Sequence, residues 1–126
     1  MKLTLGKDKR LKSRKKIDQL FISGQKTQKF PIRAMFILNS QEENAVKISV
    51  SVPKRLFKKA VDRNLLKRRM REAFRIHQLQ LKTQGNLEIM FIYTSPQILE
   101  FSKIEKSMLS LIDYLNSISN DNNSEK

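Results

Sequence analysis

The sequence predicts one α+β domain, with helices packed on a small sheet and elements in the order α-β-β-α-β-α. Three observations carry this reading. Residues 45–52 alternate strictly, with Val46, Ile48, Val50 and Val52 on one face and Lys47, Ser49 and Ser51 on the other. Residues 58–82 and 102–118 repeat their apolar positions at helical spacing. Turn signals separate these blocks: Pro53, Gly85-Asn86 and Ser95-Pro96.

In chain order, residues 1–10 read as a basic flexible arm, 11–118 as the folded domain and 119–126 as a disordered polar tail. Ser13 is placed to cap a helix over 13–23, with Ile17, Leu20 and Phe21 at helical spacing and Gly24 as the stop. Residues 31–39 form a strand in which Ile32, Ala34, Phe36 and Leu38 alternate with Arg33, Met35 and Ile37. The polar SQEEN at 40–44 is a turn, and 45–52 is the next strand, buried on one face and open on the other. The segment 87–94, LEIMFIYT, is apolar on both sides and therefore a central strand. Ser102 and Glu105 have the spacing of a capping box for the last helix. That helix lines up Ile104, Met108, Leu111, Ile112, Leu115 and Ile118.

The 126 residues carry 26 Lys and Arg against 12 Asp and Glu, a net charge of +14, which points to a polyanionic partner. The charge is concentrated. Residues 1–39 hold 11 basic and 2 acidic side chains, 40–82 hold 12 and 4, and 83–126 hold 3 and 6. The partner is thus expected on the first two thirds of the chain.

Absent chemistry narrows the field. With no cysteine there is no thiol nucleophile, disulfide or Cys-based metal site, which fits a cytoplasmic protein. MKLTLGKDKR lacks the apolar core of a signal peptide, and no apolar run approaches a membrane span, so no membrane partner is expected. Three scattered glycines make no phosphate loop. The one histidine, His77, falls on an apolar helix face, where a core or boundary role outweighs that of a ligand or base. The carboxylates form no closely spaced set for two metals, so no catalytic residue and no protein metal site are assigned.

The most informative stretch is 53–75, PKRLFKKAVDRNLLKRRMREAFR. At 100° per residue, Leu66, Met70, Ala73, Phe74, His77 and Leu81 share one face. Asn64, Lys67, Arg71, Arg75 and Gln78 line the opposite side, with Arg68 at its edge. A solvated charged face is the ordinary explanation of such a run. Here residues 54–75 hold ten basic and two acidic side chains, and like charges three or four apart destabilise a helix. A ligand that supplies the counter-charge, nucleic acid, is the better reading.

The run SVPKRLFKKAVDRNLLKRRMREAFR resembles the signature of bacterial ribonuclease P protein components. In that family a strand ends in a short basic loop, followed by an Ala-Val-x-Arg-Asn-Arg-x-Lys-Arg-x-x-Arg-Glu helix. The matching residues are Ala60, Val61, Arg63, Asn64, Lys67, Arg68, Arg71 and Glu72, with Phe74 as the following aromatic. The opening RLKSRKKIDQLFISG is similar too, and the likeness spans roughly residues 9–118. Two positions depart: Leu65 replaces the last arginine of the Arg-Asn-Arg triplet, and Ile17 stands where the family often has an aromatic. Either one phosphate contact is missing or its job passes to Arg69.

The resemblance implies a mixed sheet with a left-handed β-α-β crossover, as in a ribosomal-protein domain. It implies a catalytic ribonuclease P RNA as partner, precursor tRNA as substrate, and Mg2+ held mainly by the RNA, with no protein partner required. Lys54, Arg55, Arg63, Asn64, Lys67, Arg68, Arg71 and Arg75 would bind the RNA subunit. Ile17, Phe21, Arg33, Met35, Lys47 and Ser49 would bind the single-stranded 5′ leader. The rivals are a ribosomal or ribosome-assembly RNA-binding module, a DNA-binding basic helix and a protein nuclease. The first lacks a reason for the full signature, the second lacks a dimerisation element, and the third lacks a site.

Overall fold

The computed structural model describes residues 24–39 and 42–124. It contains strands β1 (Gln25–Lys29), β2 (Ile32–Asn39), β3 (Ala45–Ser51) and β4 (Asn86–Tyr93), and helices α1 (Ala60–His77) and α2 (Phe101–Ser124). A short 3₁₀ turn, Gln78–Gln80, extends α1. The helix expected over 13–23 lies outside the described residues.

The four strands form one mixed sheet in the order β1-β2-β4-β3. Strand β2 runs antiparallel to both β1 and β4, and β3 runs parallel to β4. The chain therefore crosses from β3 to β4 through α1. The apolar strand β4 is central, as its two-sided pattern required. Gly85 enters it at φ 93°, a conformation that suits glycine, and its N–H donates to Asn44 Oδ1 at 2.6 Å.

Both helices pack on the same sheet face. Leu66, Met70, Ala73 and Phe74 of α1 meet Ile104, Met108, Leu111, Ile112 and Leu115 of α2 over Ile32, Phe36, Ile48, Leu87, Ile89 and Phe91. Each large apolar side chain removed from water contributes about 1.5–3 kcal/mol, so this face fixes α1 firmly. Phe74 sits against Phe91, ring centroids 5.8 Å apart.

Three expectations need correction. Strand β1 was not foreseen: QKTQK has no apolar alternation, because it is a solvated edge strand held by its backbone ladder to β2. The capping box does not form. Helix α2 begins at Phe101, with the Glu100 carbonyl accepting from Lys103 and Ile104 N–H, while Glu105 reaches His77 instead. Finally, α2 runs to Ser124 and takes in residues 119–124, which the polar composition assigned to a disordered tail.

Candidate nucleic-acid interface

Two surfaces emerge among the described residues, one on α1 and one on the sheet face turned away from α1 and α2. The stripe on α1 is built from the loop before it. Phe57 is buried against the Tyr93 ring at 5.9 Å and anchors the loop, leaving Lys54 and Arg55 exposed at the turn. Arg63 then donates through Nη1 to the carbonyls of Phe57 and Lys58, both at 2.8 Å. This arginine clamps the loop onto the first turn of α1, a structural duty the sequence reading did not give it.

Two more arginines are committed within the fold. Arg69 Nη1 donates to the Leu99 carbonyl at 2.7 Å, tying α1 to the loop before α2. Tyr93 holds the same loop, its hydroxyl donating to Gln97 O at 2.6 Å and accepting from Leu99 N–H at 3.1 Å. Burial pushes that phenol above its usual pKa, and the hydrogen bond from Leu99 opposes the rise. Arg69 is thus held to the protein through one guanidinium nitrogen. Arg75 pairs with Glu72 through two guanidinium nitrogens, Nε at 3.1 Å. That hydrogen bond holds the Glu72 carboxyl below the usual carboxylate range and raises Arg75.

What remains outward is more compact than the stripe the wheel drew. Asn64 and Arg68 are exposed and Lys67 half-buried, and no side-chain hydrogen bond or ion pair among the described residues engages them. Arg71 is half-buried and engaged. Leu65 joins Val61, Asp62, Asn64 and Arg68 around a hollow, so the departure from the family signature places an apolar side chain between charged and polar ones. His77 is the boundary residue expected: Nε2 lies 2.9 Å from Glu105 Oε2 and Nδ1 lies 3.1 Å from Gln80 Nε2. An amide donating to Nδ1 leaves the proton on Nε2, facing the carboxylate.

The second surface follows from strand register. Cross-strand partners share a face, so Arg33, Met35 and Ile37 of β2 stand beside Ile92, Met90 and Glu88 of β4. These in turn stand beside Ser51, Ser49 and Lys47 of β3. Met35 and Met90 are buried at the centre of a small apolar cluster, with half-buried Ile37 and Ile92 packed on it, so the expectation that Met35 stands open on this face is corrected: apolar side chains on neighbouring strands close over one another. Arg33, Met35, Lys47 and Ser49 are therefore brought onto one face, as the alternation required. Ile37, Met90 and Ile92 complete it and were not singled out. Their signal was present in the two-sided apolarity of 87–94, but which side met the helices was not. Ile17 and Phe21 lie outside the described residues.

Among the described residues no three His, Asp or Glu side chains come together where they could hold a metal ion. No helix there is long and apolar enough to cross a membrane.

Comparison with known proteins agrees with this arrangement. A family model described as Ribonuclease P matches residues 5–116. A ribonuclease P protein component of Porphyromonas gingivalis is 33% identical over 110 residues, covering 82% of this chain and 80% of that protein. Its counterpart from a second strain matches to the same extent. Among solved structures, a Staphylococcus aureus RNase P protein superposes with a TM-score of 0.71 at 22% identity, over 86% of this chain and 95% of that one. The Thermotoga maritima RNase P protein gives 0.69 at 24% identity, over 83% and 96%. These structures share the fold.

Proposed function

Because the chain belongs to the ribonuclease P protein family, we propose that its two surfaces divide the work of that assembly, α1 gripping the RNA subunit and the open sheet face holding the 5′ leader of precursor tRNA. The family makes it an RNA-binding component of an endoribonuclease that processes tRNA; an isolated ribosomal or ribosome-assembly module is not favoured. The observation that supports the division is the outward set Asn64, Lys67 and Arg68 on a helix whose other side is locked into the core.

Arginine and lysine held at fixed positions meet phosphates without further ordering, and Asn64 can both donate and accept at a ribose or base edge. The open face suits a strand of variable sequence. Half-buried Ile37 and Ile92, backed by the buried pair Met35 and Met90, offer apolar contact to any base, and Arg33 and Lys47 at the borders attract the backbone. In this reading the RNA subunit holds the reacting phosphodiester and the Mg2+. The assembly works in the cytoplasm.

The test combines the full chain with bacterial ribonuclease P RNA and precursor tRNA at low magnesium. Leader cleavage that neither partner gives alone is the expected result. Absence of stimulation across a magnesium titration overturns the proposal.

A further inference from the structure

A third surface lies away from both of these, where the β1–β2 turn meets the first half of α2. Lys29, Phe30 and Pro31 form one wall of a groove of about 550 Å³, and Lys103, Lys106 and Ser110 the other. The Phe30 ring is 65% exposed, among the most exposed large apolar side chains described. Lys103 and Lys106 are exposed one helical turn apart, and no carboxylate among the described residues forms an ion pair with either. The Lys29 ammonium stands 5.9 Å from the Tyr114 ring centroid. The Ser107 hydroxyl donates to the Lys29 carbonyl, and Thr94 N–H donates to Pro31 O at 2.8 Å, so both walls are fixed to the fold.

The distribution of charge singles this groove out. Residues 83–126 hold only three basic side chains against six acidic ones, and two of the three are Lys103 and Lys106. In the one acidic part of the chain, two lysines stand at the groove where Phe30 is exposed. Three lysines and an exposed aromatic lining one groove are the elements of a single-strand site, a stacking platform with cations for the adjoining phosphates.

We propose that this groove is a further RNA site, in which an unpaired nucleotide stacks on Phe30 while neighbouring phosphates meet Lys29, Lys103 and Lys106. It rests on RNA being the partner but goes beyond the α1 and open-face surfaces. Either a far stretch of the leader or an unpaired stretch of the RNA subunit would supply the same chemistry.

Two variants of the full chain test it, Phe30→Ala and the double change Lys103→Ala with Lys106→Ala. All the altered side chains are exposed, and circular dichroism checks the fold. Affinity is measured across a salt series for the RNA subunit alone, and in the assembled holoenzyme for precursors with short and long leaders. The double variant should lower the salt slope by about 1.4, from roughly 0.7 per lost single-strand phosphate contact. Phe30→Ala should weaken binding about fivefold or more, and Phe30→Trp should restore it. A loss confined to the long leader assigns the groove to the leader, and a loss with the RNA subunit alone assigns it to that RNA. Wild-type affinity and slope in every arm overturn the proposal. If the wild-type chain itself fails to stimulate cleavage, the division of work proposed for α1 and the open face fails separately.

Discussion

The α1 stripe and the open sheet face are both set by one core, yet they use charge in opposite ways. On α1 the charge is dense, but part of it is engaged within the protein. Arg63 clamps a loop, Arg69 holds Leu99 and Arg75 pairs with Glu72. On the sheet the charge is sparse and lies beside an apolar centre of Met35 and Met90. The helix surface should bind through phosphates and depend steeply on salt, whereas the sheet surface should bind through contact area and depend on it weakly.

Several changes would break or sharpen that contrast. Phe74→Ala removes the shared support, since Phe74 is buried between α1 and β4. It should cost about 3–5 kcal/mol in denaturant unfolding and weaken both surfaces together. Arg69→Ala should cost about 2 kcal/mol of stability through the lost bond to Leu99 O, with no change in the salt slope of RNA binding. A flattened slope would show that Arg69 meets phosphate after all. Arg68→Ala should do the reverse, leaving the melting temperature in place and lowering the salt slope for the RNA subunit by about one unit. Ile92→Gln on the sheet face should weaken leader-dependent affinity about fivefold, as roughly 1 kcal/mol of apolar contact is lost, at unchanged slope.

The smallest effect concerns pH. Folding lowers the Glu72 pKa below its ordinary 4.5, so the carboxylate's contribution is complete above that value and is lost as pH falls through the folded pKa. Both partners are substantially exposed, which keeps the effect small. Glu72→Gln should slightly lower the melting temperature at neutral pH and leave it unchanged below the folded pKa, which flattens the acid limb of a melting-temperature-against-pH curve.

Much of this was legible in the chain. The alternation in 45–52, the helical stripe ending in Phe74 and the two-sided apolarity of 87–94 each placed their element, because burial imposes periods of 2 and 3.6 on the residues themselves. The outward placement of Asn64 and Arg68 followed from the same wheel. Strand β1 did not show, because a solvated edge strand leaves no apolar period and is specified by its ladder to β2. The Ser102–Glu105 spacing misled, because a cap motif is local and His77, 28 residues before Glu105, offered the carboxylate a better partner.

The sequence by itself determined an α+β domain, a basic helix anchored by one face, and membership of a family through residues 53–75. Each of these is written in composition or short-range period. Only the tertiary structure decided which arginines hold the protein's own backbone and which are left outward. Arg63, Arg68 and Arg69 look alike along the chain, and their roles diverge because carbonyls of Phe57, Lys58 and Leu99 come within reach of two of them. It likewise decided that Lys29, Phe30, Lys103 and Lys106, more than 70 residues apart, share one groove. Hydrogen bonds and grooves depend on which distant segments the core brings together, and no local pattern encodes that.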